Sequence, residues 1–382
     1  MSTKRPQPEE PAREAKDTDL SNVSLATKEG WAAAVYTPRR VRPPQLTRAQ
    51  LRQLPEDELA AHNHARRVWH ANLGPLSTPQ LKALHEDMWD IVDSNEQDGD
   101  KAKGAIAIDA LAGLGKTTAA LAFAMAFHHR EIAEKGRFTG TGDERHPVCR
   151  VSLTGNTGIR DLNKALMNFF AHPGGSRGTA TDFQLRALSC ALAVECRLLV
   201  LDELHFLQRR GTNRNEVSNQ LKAIANDFPV TLVTIGINLA SLGLLGSLST
   251  TDRALEQTAR RTTKLTMQPF TAETEAGRRQ WRSMLLAIEQ RLVLAESFPG
   301  MLADELSDYL FARSTGHIGS LMTLINRGCQ RAVRTGAERL DREVMDRVRN
   351  DEAAEKARLE LEAALEQGKL TTRLAQARGV PG

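Results

Sequence analysis

The chain has 382 residues, 41% hydrophobic and 26% charged, enough for one large or two modest soluble domains with a substantial core. Aromatic residues make up only 4%, which argues against base stacking as the main mode of nucleic-acid binding, and a net charge of +4 permits a polyanionic partner without demanding one. No apolar run reaches membrane-span length, the first residues lack the apolar core of a secretory signal, and Cys149, Cys190, Cys196 and Cys329 have neither zinc-ligand spacing nor disulfide density, so free thiols in a reducing cytoplasm and no membrane partner are expected.

Residues 1–30 are polar, charged and proline-bearing, the composition of a disordered tail. Residues 31–75 read as a helical and linker extension, with a basic arm "VYTPRRVRPPQL" and then a helical pattern broken at Pro55. Thr78 is expected to cap the next helix, with Pro79 in its first position.

From Gly104 the pattern changes, and residues 76–270 read as an α/β domain. Apolar runs at 105–108, 148–153, 198–201, 230–236 and 264–267 alternate with helical stretches at 117–129, 158–170, 181–195 and 215–227. Continuous apolar strands separated by helices predict a parallel sheet covered on both faces, a three-layer core. After Pro269 the strand signal stops. Amphipathic stretches at 276–294, 301–314 and 318–336 predict a small all-helical lid over 271–350, and residues 351–382 read as a charged helix fraying into a tail.

The first strand runs into "DALAGLGKTTAALAFA". A glycine-bearing loop between a strand and a helix can wrap its amides around a phosphate chain, and the helix N-terminus points its positive end at the same charge. The loop spans Ala110, Gly113, Leu114, Gly115, Lys116, Thr117 and Thr118, with Ala110 where the G-x-x-x-x-G-K-[ST] pattern has glycine. Lys116 is placed to reach the β/γ-phosphates and Thr117 to coordinate Mg²⁺, so ATP with Mg²⁺ is the expected cofactor pair.

A phosphate loop predicts an acidic strand end, and "CRLLVLDELHFLQ" supplies it. Asp202 would hold Mg²⁺ and Glu203 would polarise the attacking water. His205 completes a "DELH" string, but no second sheet follows to support a helicase, so it reads as a local polar contact or a nucleotide sensor. At the end of "VTLVTIGIN", Asn238 is the first choice to orient the water and Thr234 the second. Arg260 and Arg261 precede the last strand, where an arginine can reach a neighbouring subunit's γ-phosphate, with Arg260 favoured.

Read in order, "ALAGLGKTT", "LLVLDELHFL", "VTLVTIGIN", "QTARR" and "STGHIGSLMTLI" resemble a TniB/TnsC-type AAA+ transposition ATPase, from about Leu76 to Glu338. Gly316, Ile318, Gly319 and Leu321 match the family's lid-helix start. Two positions depart: Phe206 stands where the family commonly has Asn, and His317 occupies the neighbourhood of the lid sensor arginine. The resemblance implies a P-loop AAA+ core with a helical lid. It also implies an ATP-dependent homo-oligomer, ring or filament, on double-stranded DNA, which recruits or activates a DDE transposase, with a TniQ-like adaptor as a further partner. Phosphate-backbone contacts, independent of sequence, are then expected from Thr154, Asn156, Arg160 and Lys164, or from a basic loop with Arg209, Arg210 and Arg214. The alternative function is a signalling or phage-defence P-loop NTPase switch acting on protein partners.

Overall fold

The computed structural model describes residues 20–97, 103–155, 157–175, 177–207, 214–242 and 260–374. Helix α1 (Lys28–Tyr36) starts inside the stretch expected to be a disordered tail. Two local causes set it there. The Thr27 hydroxyl accepts the Gly30 N–H as an N-cap, and Trp31 and Val35 are buried in the main core. Trp31 Nε1 donates to the buried His128 Nδ1 at 3.1 Å, which ties α1 to the back of the α/β domain. Helices α2 (Arg48–Gln53) and α3 (Glu56–Ala71) flank Pro55, and α4 (Pro79–Ser94) begins with Thr78 as cap and Pro79 in its first turn.

Among the described residues five strands form one parallel sheet: β1 (Ala105–Asp109), β2 (Val148–Ser152), β3 (Leu198–Asp202), β4 (Thr231–Gly236) and β5 (Thr262–Thr266), in the order β2-β3-β4-β1-β5. Helix α5 (Lys116–Lys135) follows β1, α6 (Ile159–Phe169) and α7 (Ala180–Ala193) follow β2, and α8 (Arg214–Asp227) follows β3. Every residue of β3 and β4 is buried, and successive strand residues face opposite sides, so both faces of the sheet are covered. Strand β5 starts at Thr262, two residues ahead of the apolar run, because the ladder to β1 begins with Ala105 opposite Thr262. The register brings Asp109, Asp202 and Gly236, the last residues of β1, β3 and β4, to one edge.

The lid comprises α9 (Glu275–Glu289), a short π-helical turn at Met301–Glu305, α10 (Ser307–Ser314), α11 (Ile318–Thr335), α12 (Arg342–Asp346) and α13 (Glu352–Glu366). Its apolar core is separate from that of the sheet and takes in Leu73 and Leu76 of the N-terminal extension. Helix α9 stops at Glu289 although its apolar periodicity continues to 294. The backbone beyond it bonds instead to side chains of the extension. Arg42 and Gln45 donate to the Leu292 and Leu294 carbonyls at 2.9 and 3.1 Å, Trp69 Nε1 donates to the Arg291 carbonyl at 2.7 Å, and the Val293 N–H donates to His70 Nε2 at 3.0 Å. The charged C-terminal helix is likewise docked, not free. Glu355 of α13 pairs with the buried Arg313 of α10 at 2.7 Å, and the Thr372 hydroxyl donates to Asp308 at 2.7 Å.

The extension and the lid share a buried ion pair. Arg66 reaches both oxygens of Glu338, at 2.7 and 3.0 Å, and the Ala295 N–H donates to the same carboxylate at 3.0 Å. Removing one partner of such a pair strands the other charge away from water. Glu338→Ala is therefore expected to destabilise the protein by about 3–5 kcal/mol, read from denaturant unfolding. A loss under about 1 kcal/mol would mean that water reaches Arg66.

Candidate nucleotide-binding site

The loop after β1 is built for close approach. Gly113 and Gly115 have φ of +75° and +81°, a region that a Cβ disfavours, and Gly115 caps the N-terminus of α5. The Lys116 ammonium donates to the Ala110 and Leu111 carbonyls at 2.8 and 2.7 Å. Burial lowers its pKa, opposed by Glu203, Asp202 and Asp109, the nearby acids. Asp109 itself is paired with Lys264 of β5 at 3.1 Å.

Across the sheet edge, the Thr117 hydroxyl donates to Asp202 Oδ1 at 3.2 Å, joining the two motifs read from sequence. The Glu203 N–H donates to the same oxygen at 2.9 Å, and Glu203 has φ +57°, a turn that swings the chain off the strand directly after Asp202. His205 Nδ1 lies 3.3 Å from Glu203 Oε2 without hydrogen-bond geometry, and its ring is tilted at 41° to that of Phe206 with centroids 4.3 Å apart.

Asp202 Oδ2 faces Arg150 of β2 at 3.3 Å, a contact that the motifs do not contain. The signal for it is a charged residue inside the apolar strand "VCRVS". A cation there needs an acid on the adjacent buried strand, and the register puts β3 beside it.

Asn238 sits just past β4, between the ends of β1 and β3, with φ +54°. Thr234, the second choice, is excluded by its place. It is buried in mid-strand opposite Ala107 and its hydroxyl donates to the Ile106 carbonyl at 3.1 Å. Arg260 and Arg261 lie at the start of β5, beside Gly104, at the sheet edge opposite the phosphate loop. A five-residue strand separates the two edges, roughly 16 Å at ~3.3 Å per residue. Neither arginine is near its own chain's loop, and Arg261 donates to Asn226 at 3.3 Å.

The lid closes directly on the loop. The Gly319 N–H at the start of α11 donates to the Gly113 carbonyl at 2.8 Å, and a Cβ on Gly319 would stand 2.8 Å from that same oxygen. The second glycine of "GHIG" is thus required by contact with the phosphate loop. His317 flanks Gly113, and its Nδ1 is held by Thr315. A cavity of about 290 Å³ opens between the loop, the connection from α3 to α4, and α11. Its wall is mostly apolar, including Leu73, Pro75, Leu76, Met267, Ile318 and Met322.

After β2, the turn at Thr154 is closed by Thr157, whose hydroxyl donates to the Thr154 carbonyl at 2.7 Å. Arg160 and Lys164 follow one turn apart on α6. Arg160 is exposed, yet it donates to the Gly178 carbonyl at 3.1 Å and lies over the Phe183 ring. Asn156, Arg209 and Arg210 lie outside the described residues, as does the side chain of Arg214.

These residues fit a nucleoside triphosphate with a divalent cation. The glycine cradle suits the phosphates, the apolar cavity beside it suits a base, and the Thr117–Asp202 oxygens suit a hard cation. A phosphate loop after β1, an acidic pair after β3 and a helical lid seated on the loop define the AAA+ class of P-loop fold. The model of the bacterial TniB protein family matches residues 77–268, about half of the chain, and the chain belongs to that family.

Among solved structures, the Aeropyrum pernix ORC1 protein in complex with DNA is similar at 18% identity and TM-score 0.52, over 78% of this chain and 70% of that one. The ADP form of the Aeropyrum pernix ORC2 protein is similar at 15% identity and TM-score 0.53, over 74% and 71%. Cdc6p from Pyrobaculum aerophilum follows at 14% identity and TM-score 0.50, over 69% and 64%. These likenesses show the fold. No curated protein matches the chain significantly. Among the described residues no helix is long and apolar enough to cross a membrane.

Proposed function

We propose that the protein is an ATP-hydrolysing AAA+ regulator of transposition that oligomerises on double-stranded DNA and recruits or activates a DDE transposase, with a TniQ-like adaptor as an accessory partner. The observation that carries the enzymatic half is the Thr117–Asp202 contact at the sheet edge, with Lys116 and Glu203 beside it. The family membership carries the transposition half.

In this reading the amides around Gly113 and Gly115 bind the phosphates and Lys116 neutralises the β/γ charge. Thr117 and Asp202 would hold Mg²⁺, which when bound would supply screening of the phosphate charge. Arg150, paired to Asp202 Oδ2, fixes which carboxylate oxygen faces Thr117. Glu203 takes the proton from the attacking water, and Asn238 orients that water. Arg260 or Arg261 serves a neighbouring subunit, since the opposite sheet edge puts both out of reach of their own loop. Each subunit then completes the next one's site, which couples nucleotide to assembly. Arg260→Ala is expected to cut hydrolysis at least tenfold while leaving the monomer's nucleotide affinity unchanged. An equal fall in affinity, measured by calorimetry on dilute protein, would refute the trans role.

The DNA half is tested with random-sequence duplex. Binding should require ATP, produce rings or filaments in negative stain, and weaken steeply with salt. Thr154, Arg160 and Lys164 are the proposed contacts from the described residues. Duplex binding that is indifferent to ATP, or absent, would favour the protein-directed NTPase switch.

A further inference from the structure

We infer that Arg150 keeps bare divalent cations off Asp202, so that the metal enters this site only together with a triphosphate. The inference rests on the reading above, in which Asp202 holds Mg²⁺ beside bound nucleotide. Arg150 is a positioning residue that acts through Asp202. It belongs to none of the motifs read from sequence.

Arg150 stands in the middle of β2, with Val200 of β3 as its register partner. Its side chain reaches along the sheet and meets Asp202 Oδ2 at 3.3 Å. Both groups are largely removed from water, with the aspartate side chain 4% exposed and the arginine side chain 15%. Arg150 Nε is buried and makes no hydrogen bond among the described residues, so the guanidinium serves Asp202 through one terminal nitrogen and its charge. The other carboxylate oxygen, Oδ1, accepts from the Thr117 hydroxyl and the Glu203 N–H. Each oxygen of Asp202 is therefore already engaged by the chain itself.

The charges around the loop also balance. Asp109, Asp202 and Glu203 are the acids that oppose the lowering of the Lys116 pKa. Against them stand Lys116 in the loop, Lys264 on Asp109 at 3.1 Å, and Arg150 on Asp202. One cation for each acid leaves little net attraction for a free dication. A cation arriving at Asp202 alone also meets the guanidinium already on that carboxylate, in a site where repulsion is weakly screened. A triphosphate reverses the balance. Its negative charges exceed what Lys116 can neutralise, and they carry a dication in with them, while Arg150 adds to the field that attracts the phosphates. Taking the guanidinium away leaves a buried carboxylate unpaired, the arrangement that most favours capture of a metal ion.

The experiment titrates the full chain, free of nucleotide, with Mn²⁺ and follows the electron paramagnetic resonance of the free ion. The wild type is expected to bind no Mn²⁺ at up to about 0.1 mM. Arg150→Gln keeps a donor but loses the charge. It should bind one Mn²⁺ within that range, a gain of at least about tenfold, and should bind ATP in excess chelator roughly threefold more weakly. The opposite signs separate this role from a merely structural one, because a damaged site loses both ligands. Arg150→Lys keeps the charge and should behave as the wild type in both titrations. If the glutamine variant fails to fold in metal-free buffer, Mn²⁺ should restore its thermal transition, because the ion takes the place of the guanidinium; a chain that stays unfolded would overturn the proposal. Wild-type uptake of Mn²⁺ below about 0.1 mM would overturn it, as would a folded glutamine variant with the wild type's indifference to Mn²⁺, or a lysine variant that binds the ion as the glutamine one does. A wild-type chain that binds no ATP even with magnesium would overturn the nucleotide reading itself, and this proposal with it.

Discussion

Lys116→Ala is expected to abolish measurable nucleotide binding, a loss of at least ~100-fold or about 2.7 kcal/mol. The ammonium is the one cation that the loop itself carries, and it is held at the loop by the Ala110 and Leu111 carbonyls. A triphosphate brings several negative charges to a half-buried site, where attraction is screened less than in water. The alanine variant retains the glycine amides and the dipole of α5 but loses that counter-charge. It should fold normally, since among the described residues Lys116 bonds to the loop beside it, where Ala110 is half-buried and Leu111 exposed. Calorimetry with ATP and magnesium checks the affinity, and thermal unfolding checks the fold. Affinity within about threefold of wild type would remove the loop from the mechanism.

Glu203→Gln should leave binding intact and slow turnover by roughly 100- to 1,000-fold, the range of a lost general base. The amide keeps the size of the side chain. The features that place residue 203 are backbone features: its N–H to Asp202 Oδ1 at 2.9 Å and its φ of +57°. Only basicity and charge change. The variant should hold ATP and persist in its assembled state, measured by phosphate release alongside sedimentation with duplex DNA. Undiminished phosphate release would assign the base elsewhere, with His205, 3.3 Å from the same carboxylate, as the next residue to test.

Much of the site was legible along the chain because its chemistry is local. The phosphate loop, the acidic pair and the cap at Thr78 each depend on a few adjacent residues whose backbone geometry is set by type: glycine at positive φ, acid after a buried strand, threonine before a proline. The alternation of apolar runs and amphipathic stretches likewise determined a parallel sheet with helices on both faces, because strands buried on two sides must be apolar throughout. The same signals placed α11 at the "GHIG" segment.

Other features were decided only when distant segments met. Arg150 acquires meaning from the β2–β3 register, which lays it against Asp202. Thr234 and Asn238 stand four positions apart in one stretch, and only the ladder to β1 buries the first in mid-sheet and leaves the second at the edge. Arg260 and Arg261 follow the other motifs in sequence, yet the parallel ladder carries them to the far edge of the sheet. The joining of residues 42–70 to the lid, through backbone groups of 291–295 and through Glu338, left no periodic trace, because side chain-to-backbone bonds have no spacing of their own. His70 follows the same logic. Its residue type says nothing of its tautomer, which the Val293 N–H alone dictates.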